Sequence, residues 1–196
     1  FKDYRAFSNY GIILKNIGKL KEAELLYRKA IEINPDYAKA YSNLGGILQK
    51  LGKLKEAELS YRKAIELNPD YAKAYSNLGG ILQKIGKLKE AEISTRKAIN
   101  LQPNYAKAYS NLGYILKEQG KLEESKQAYK KAIEIQPDEH SYFSNLLYVL
   151  LTLYSWDEIN NYLPVLQHIG LKGKGVNPFT FMYLEDSLEN ELKRAI

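Results

Sequence analysis

The sequence predicts an all-α protein, a solenoid of stacked helix–turn–helix hairpins. Three observations lead there. Pro35, Pro69, Pro103 and Pro137 stand 34 residues apart with everything between them in phase, and a fixed period of this size indicates a stacked repeat array. Within each period, two apolar-periodic segments flank a short glycine-containing turn. Small residues recur inside both segments at constant places, the pattern of helices that cross closely.

The unit from Ala38 to Tyr71 shows the construction. A first segment runs from Ala38 to Leu51, Gly52-Lys53 makes the turn, and a second runs from Leu54 to Leu67 before Asn68-Pro69. Glycine ends the first helix, and proline, which lacks an N–H and clashes with the preceding turn, prevents the second from continuing. Gly11, Gly45, Gly79 and Gly113 sit inside first helices, where glycine costs about 1 kcal/mol against alanine. Their recurrence implies a crossing that a Cβ would block, with Ala23, Ala57, Ala91 and Ser125 as the matching small surface. Ala30, Ala64, Ala98 and Ala132 repeat the device further along. Three positions of a first-helix stripe carry the bulk: Phe7, Tyr41, Tyr75 and Tyr109; Tyr10, Leu44, Leu78 and Leu112; Leu14, Leu48, Leu82 and Leu116.

A fifth unit is weaker. Phe143, Leu146 and Leu150 keep the stripe, but Leu147 replaces the packing glycine, Ile159 the packing alanine, and Trp156-Asp157-Glu158 the usual Leu-Lys-Glu. Terminal repeats are atypical where they cap a stack or dock, and this one is apolar enough to suggest docking or self-association. The expected organisation is therefore a repeat domain over 1–171, with units at about 4–37, 38–71, 72–105, 106–139 and a degenerate 140–171. A connector and C-terminal helix follow over 172–196. Residues 171–178 read as loop, and Asp186 to Arg194 as helix, capped by Asp186 or Ser187 and ended by Lys193-Arg194.

A large aromatic, Leu-Gly, Leu, then Ala, Tyr, Ala and Pro occur at Tyr41, Leu44-Gly45, Leu48, Ala57, Tyr61, Ala64 and Pro69. This pattern resembles the tetratricopeptide repeat. Tyr or Phe stands where that family often has Trp, and Thr95 replaces the tyrosine of Tyr27, Tyr61 and Tyr129. The resemblance implies a right-handed superhelical solenoid whose concave face is lined by the first helices.

On a helical wheel Lys39, Asn43, Gly46 and Lys50 lie opposite the packing stripe of Tyr41, Leu44, Gly45 and Leu48, so they belong to that face. Asparagine recurs there at Asn9, Asn43, Asn77, Asn111 and Asn145, each after a serine. Two readings stay open: an exposed polar position copied by duplication, or a ladder of carboxamides pairing with the N–H and C=O of an extended peptide. The divergent first and fifth units keep Ser-Asn, and asparagine is a poor helix former, which favours the second reading. Arg5, Lys39, Lys73 and Lys107, with Lys50 and Lys84, lie on the same face and would bias it toward acidic segments, or are solvated surface charges.

Units written Ala-Tyr-Ser-Asn-Leu-Gly are similar to the repeat region of O-linked N-acetylglucosamine transferases, including the SPINDLY-like branch. Asn177-Pro178-Phe179, Phe181 through Asp186 and Lys193-Arg194-Ala195 resemble the segment preceding the catalytic domain of bacterial SPINDLY-like proteins. This implies a substrate-recognition module whose sugar-nucleotide site lies beyond Ile196. The alternative is an assembly scaffold with no attached enzyme. A carboxylate clamp of the co-chaperone kind is disfavoured, since it needs Lys and Asn where this chain has Ser42 and Gly46. The second and third units are nearly identical, which recent duplication and consensus engineering explain equally well.

Composition narrows the rest. With 45% hydrophobic and 27% charged residues and a mean hydropathy of −0.43, the chain has the balance of a soluble folded protein. The apolar stretch from Leu146 to Leu153 is far shorter than the roughly 20 residues that cross a bilayer. No leader pattern is seen, and the chain starts at Phe1 rather than Met, as a trimmed sequence would; a cytoplasmic location is expected. No cysteine is present, excluding thiol chemistry, while the charge of +6 and pI near 9.1 favour acidic partners. His140 and His168 have no spaced metal-ligand partners and read as surface residues. Gly170, Gly173 and Gly175 with two lysines lack phosphate-loop spacing. Most of the 17 tyrosines occupy packing or junction positions, so nucleic-acid stacking is not expected. No nucleophile or general base is assembled, and the expectation is a protein or peptide binder with no cofactor and no catalysis.

Overall fold

The computed structural model describes residues 3–159 and 161–162, and every regular element among them is helical. In order they are α1 (Tyr4–Asn16), α2 (Leu20–Ile33), α3 (Ala38–Lys50), α4 (Leu54–Leu67) and α5 (Ala72–Lys84). There follow α6 (Leu88–Leu101), α7 (Ala106–Glu118), α8 (Leu122–Ile135) and α9 (His140–Thr152). Residues 156–159 and 161–162 are also helical. The expected connector and final helix, the resemblance from Asn177 onward and His168 lie outside the described residues. Contacts divide the chain into two compact units, Phe1–Asn111 and Leu112–Ile196, the division falling inside α7.

In the first unit α1 packs on α2, α3 on α4 and α5 on α6, while α2 meets α3 and α4 meets α5. The hairpin turns are built by Gly18, Gly52 and Gly86, whose φ values of 81°, 78° and 81° suit glycine. That left-handed residue turns the next N–H back onto the helix, so Lys19, Lys53 and Lys87 donate to the carbonyls of Leu14, Leu48 and Leu82. At the other junctions Asn34 and Asn68 accept from the N–H of Asp36 and Asp70 at 3.1 Å, reversing the chain around the proline.

The helix crossings differ from the sequence expectation in one respect. A Cβ on Gly11 or Gly45 would lie 2.9 Å from the ring of Tyr27 or Tyr61. An aromatic ring of the second helix, not the small face of Ala23 or Ala57, therefore demands the glycine. Those alanines are fully buried one turn away. At Gly79 the neighbour is Thr95, whose Oγ1 and the Ala91 carbonyl stand where a Cβ would go. Tyr10 also departs from the stripe. It is 54% exposed, whereas Leu44 and Leu78 are buried, because no described helix covers that side of α1.

In the second unit Gly113 meets the Tyr129 ring in the same way, and Gly120 (φ 77°) turns α7 into α8. Its core joins Tyr129 to Leu146, Leu147, Val149, Leu150 and Ile159, with Trp156 and Tyr162 packed alongside. Leu147 and Ile159 thus replace a small-residue crossing with a large-residue one. The apolar excess that suggested docking is mostly spent on this core, leaving Tyr148 and Tyr154 exposed. Tyr154 takes the glycine's place in the last turn, with φ 53° and the N–H of Ser155 on the Leu150 carbonyl.

Candidate peptide-binding face

The two kinds of helix carry charge differently. Second helices have glutamate in the first turn, where the helix N-terminus is partially positive: Glu22, Glu56 and Glu90. Their arginines are matched by carboxylates. Arg28 bridges Glu24 (2.7 Å) and Glu56 (2.9 Å), and Arg62 bridges Glu58 (2.8 Å) and Glu90 (2.7 Å), each tying one hairpin to the next. Lys53 and Lys87 complete the pairs on Glu24 and Glu58. Burial would push those two carboxyls up, but the hydrogen bonds from arginine and lysine outweigh it and hold both below the usual range. In the second unit Lys126 and Lys130 hold Glu158, whose carboxyl is lowered by those hydrogen bonds.

First helices are the reverse. α1, α3 and α5 contain no Asp or Glu, and neither does the part of α7 in the first unit. Lys39, Lys73 and Lys107 sit in the first turns of α3, α5 and α7, where a cation opposes the helix dipole by about 0.3–1 kcal/mol. Lys50 and Lys84 occupy last turns, where the dipole favours them. All five are exposed, and none has a carboxylate at ion-pair distance among the described residues. Arg5 is exposed too, with Nε donating to the Tyr4 hydroxyl at 3.1 Å.

The asparagines are not equivalent. Asn9 is exposed; Asn43, Asn77, Asn111 and, in the second unit, Asn145 are half-buried. Asn111 Nδ2 donates to the carbonyl of Ser76 at 3.1 Å and to its Oγ at 3.2 Å, joining α7 to α5. The corresponding pair two interfaces earlier in the array, Ser8 with Asn43, leaves Ser8 Oγ and Asn43 Nδ2 buried and unpartnered. Ser76 thus has a structural use that the sequence alone did not reveal: its carbonyl and hydroxyl accept from the carboxamide of the next hairpin's asparagine. Anchored through nitrogen, Asn111 retains Oδ1 as an acceptor.

Two further features went unnoticed in the sequence. Lys15, at a position occupied by Gln49 and Gln83 in the next units, lies close enough to act on Lys107. Lys107 remains accessible to solvent, yet crowding by protein atoms, and then the charges of Lys73 and Lys15, hold its ammonium below the usual lysine range. In the second unit Lys117 Nζ stands 4.4 Å from the Tyr114 ring centre and 4.8 Å from that of Tyr148. Neither feature recurs in every unit, so the repeat pattern does not reveal them.

His140, expected at the surface, is half-buried at the start of α9 with Nδ1 unpartnered. Among the described residues no three His, Asp or Glu side chains come together as a metal site. No described helix is long and apolar enough to cross a membrane.

Three family models, all described as tetratricopeptide (TPR) repeats, match residues 38–71 and 106–139, 11–52, and 60–93. Together they span more than half of the chain. It belongs to the tetratricopeptide repeat family. No curated protein sequence matches it significantly. Among solved structures it is similar to Pseudomonas aeruginosa PilF, at 24% identity and a TM-score of 0.80 over 98% of this chain and 87% of that one. MamA from Desulfovibrio magneticus RS-1 gives 20% identity and 0.75 over 88% and 97%. YrrB, described as a TPR protein with an unusual peptide-binding site, gives 24% and 0.63 over 78% and 79%. At such identities the likeness is one of fold. A tetratricopeptide module is a protein-interaction module, and the family assigns function at that level.

Proposed function

We propose that the first-helix face captures extended peptide segments and that the chain is the substrate-recognition portion of a SPINDLY-like glycosyltransferase, itself without catalytic groups. The observation that carries the binding face is the charge asymmetry. Second helices carry carboxylates that pair with Arg28 and Arg62, whereas first helices present Lys39, Lys50, Lys73 and Lys84 with none of their own carboxylates. Asn9, Asn43, Asn77 and Asn111 in the first unit, and Asn145 in the second, would meet the peptide main chain. Asn111 would do so through Oδ1, since its nitrogen is committed to Ser76. Each such bond adds about 0.5–1.5 kcal/mol net, so affinity is moderate and selectivity falls to the lysines. The glycosyltransferase link rests on the Ser-Asn-Leu-Gly units and the Asn177–Ala195 resemblance.

Dodecapeptides selected from a random display library test the face. Changing Asn43, Asn77 and Asn111 together to alanine should weaken capture of a selected peptide about tenfold with helicity kept. Unchanged capture removes the asparagines from the account. Reading the natural gene past Ile196 tests the rest: a sugar-nucleotide transferase domain supports the link, and a stop codon refutes it.

A second reading, an assembly scaffold, is favoured by one observation. Leu25, Leu59 and Ile93 recur on α2, α4 and α6 and are 67%, 68% and 71% exposed, an apolar row on the second helices. Loss of self-association or partner binding on changing all three to serine would support that reading.

A further inference from the structure

Lys73 and Lys107 stand on neighbouring first helices of the first unit, and neither they nor Lys15 has a carboxylate at ion-pair distance among the described residues. The hydrogen bonds from Asn111 to Ser76 hold α7 against α5. Lys107 lies one turn before Asn111 and Lys73 one turn before Ser76, so the same bonds bring these two lysines side by side at the starts of neighbouring helices. The charge of Lys15, in the last turn of α1, also acts on Lys107. Both helix starts bring their positive dipole ends, and the residue before α5, Tyr71, offers no side-chain cap. The floor beside them is open as well. A Cβ on Gly80 would meet nothing nearer than Asn111 Nδ2 at 3.9 Å, so packing does not require that glycine. The like charges of these lysines and of the two helix starts repel each other, and the rest of the fold holds them in place.

We propose that Lys15, Lys73 and Lys107 form an oxyanion site that receives a carboxylate or phosphoryl group carried by the bound peptide. The proposal rests on the first-helix face being the peptide-binding surface and names the class of peptide it takes. An anionic group there would accept charge-assisted hydrogen bonds from the ammonium groups and relieve their mutual repulsion, so binding gains from both. Burial, and after it the charges of Lys73 and Lys15, lowers the basicity of Lys107, and a bound anion should raise it.

The test uses the whole chain and three dodecapeptides of one Gly-Ser scaffold, with a central Glu-Glu-Glu, a central phosphoserine, or a central Gln-Gln-Gln. Fluorescence anisotropy should show the Glu or phosphoserine peptide binding at least about tenfold tighter than the Gln peptide. The better of the two identifies the source of the oxygens. The double change Lys73→Gln and Lys107→Gln should remove that preference, and Lys15→Gln should weaken it. The charge-matched control Lys55→Gln with Lys89→Gln, on α4 and α6, should leave it within about twofold. Urea unfolding should show the Lys73→Gln, Lys107→Gln chain at least as stable as the parent, because repulsion has been removed. Equal loss in the control pair, or equal binding of all three peptides, overturns the oxyanion site while leaving the peptide-binding face standing. Failure of the random library to yield any binder would instead sink the face itself, and the site with it.

Discussion

Gly45 and Gly46 are adjacent in α3, share one backbone conformation, and differ in what a methyl group would meet. At Gly45 an added Cβ would stand 2.9 Å from Tyr61 Cε1 and Cζ and 3.0 Å from Cε2. Tyr61 is buried, so its ring has little room to withdraw. At Gly46 the nearest atom is the Tyr61 hydroxyl at 3.5 Å, an ordinary contact. Alanine gains about 1 kcal/mol of helix propensity at either position. At position 45 overpacking costs about 1–3 kcal/mol, so Gly45→Ala should come out between neutral and about 2 kcal/mol less stable. Gly46→Ala should be stabilised by up to about 1 kcal/mol. The difference, about 1–3 kcal/mol, is then the packing cost alone, because the propensity gain cancels. Urea midpoints at unchanged slope give both values, and the slope guards against uncoupling of repeats. Equal shifts for the two variants would show that the Tyr61 ring does not hold its place, and the account of the helix crossing would fail.

Tyr154 adopts φ 53° with its side chain 78% exposed, so Tyr154→Gly should stabilise the second unit by about 1–2 kcal/mol; thermal melts showing a loss would refute the strain. The Tyr27 hydroxyl is buried without a partner, and Tyr27→Phe should be neutral or stabilising by about 1 kcal/mol in urea unfolding. Burial raises the Tyr27 hydroxyl to about 12 and pushes Tyr61 and Tyr129 up as well. Below pH 10 both folded and unfolded states keep these protons, and above it the unfolded chain releases them first, so stability should fall as pH rises from about 10. Tyr27→Phe should make that fall shallower in alkaline melts, and an identical slope would count against the burial argument. Thr95→Tyr should restore the ring found against the other packing glycines and add about 1–2 kcal/mol, unless neighbouring side chains have closed over the space, in which case stability drops.

Much was legible in the residues because it is local. Gly52 and Pro69 mark helix ends through their own backbone chemistry, and the stripe of Tyr41, Leu44 and Leu48 declares a helix face within three turns. The period of the prolines carried the hairpin repeat and the family. The fifth unit was harder. Leu147 and Ile159 read as large residues in place of the packing glycine and alanine, and only the tertiary structure showed that they fill an internal core with Tyr129.

The sequence by itself determined where helices begin and end, which face of each is apolar, and that first helices lack acids, since each depends on residues a few positions apart. Only the tertiary structure decided that tyrosine rings require the packing glycines, that Ser76 and Asn111 from successive hairpins join, and that the charge of Lys15 acts on Lys107. Those pairs are distant in the chain. Their meeting depends on the angle at which hairpins stack, which many small contacts set together and no single motif encodes.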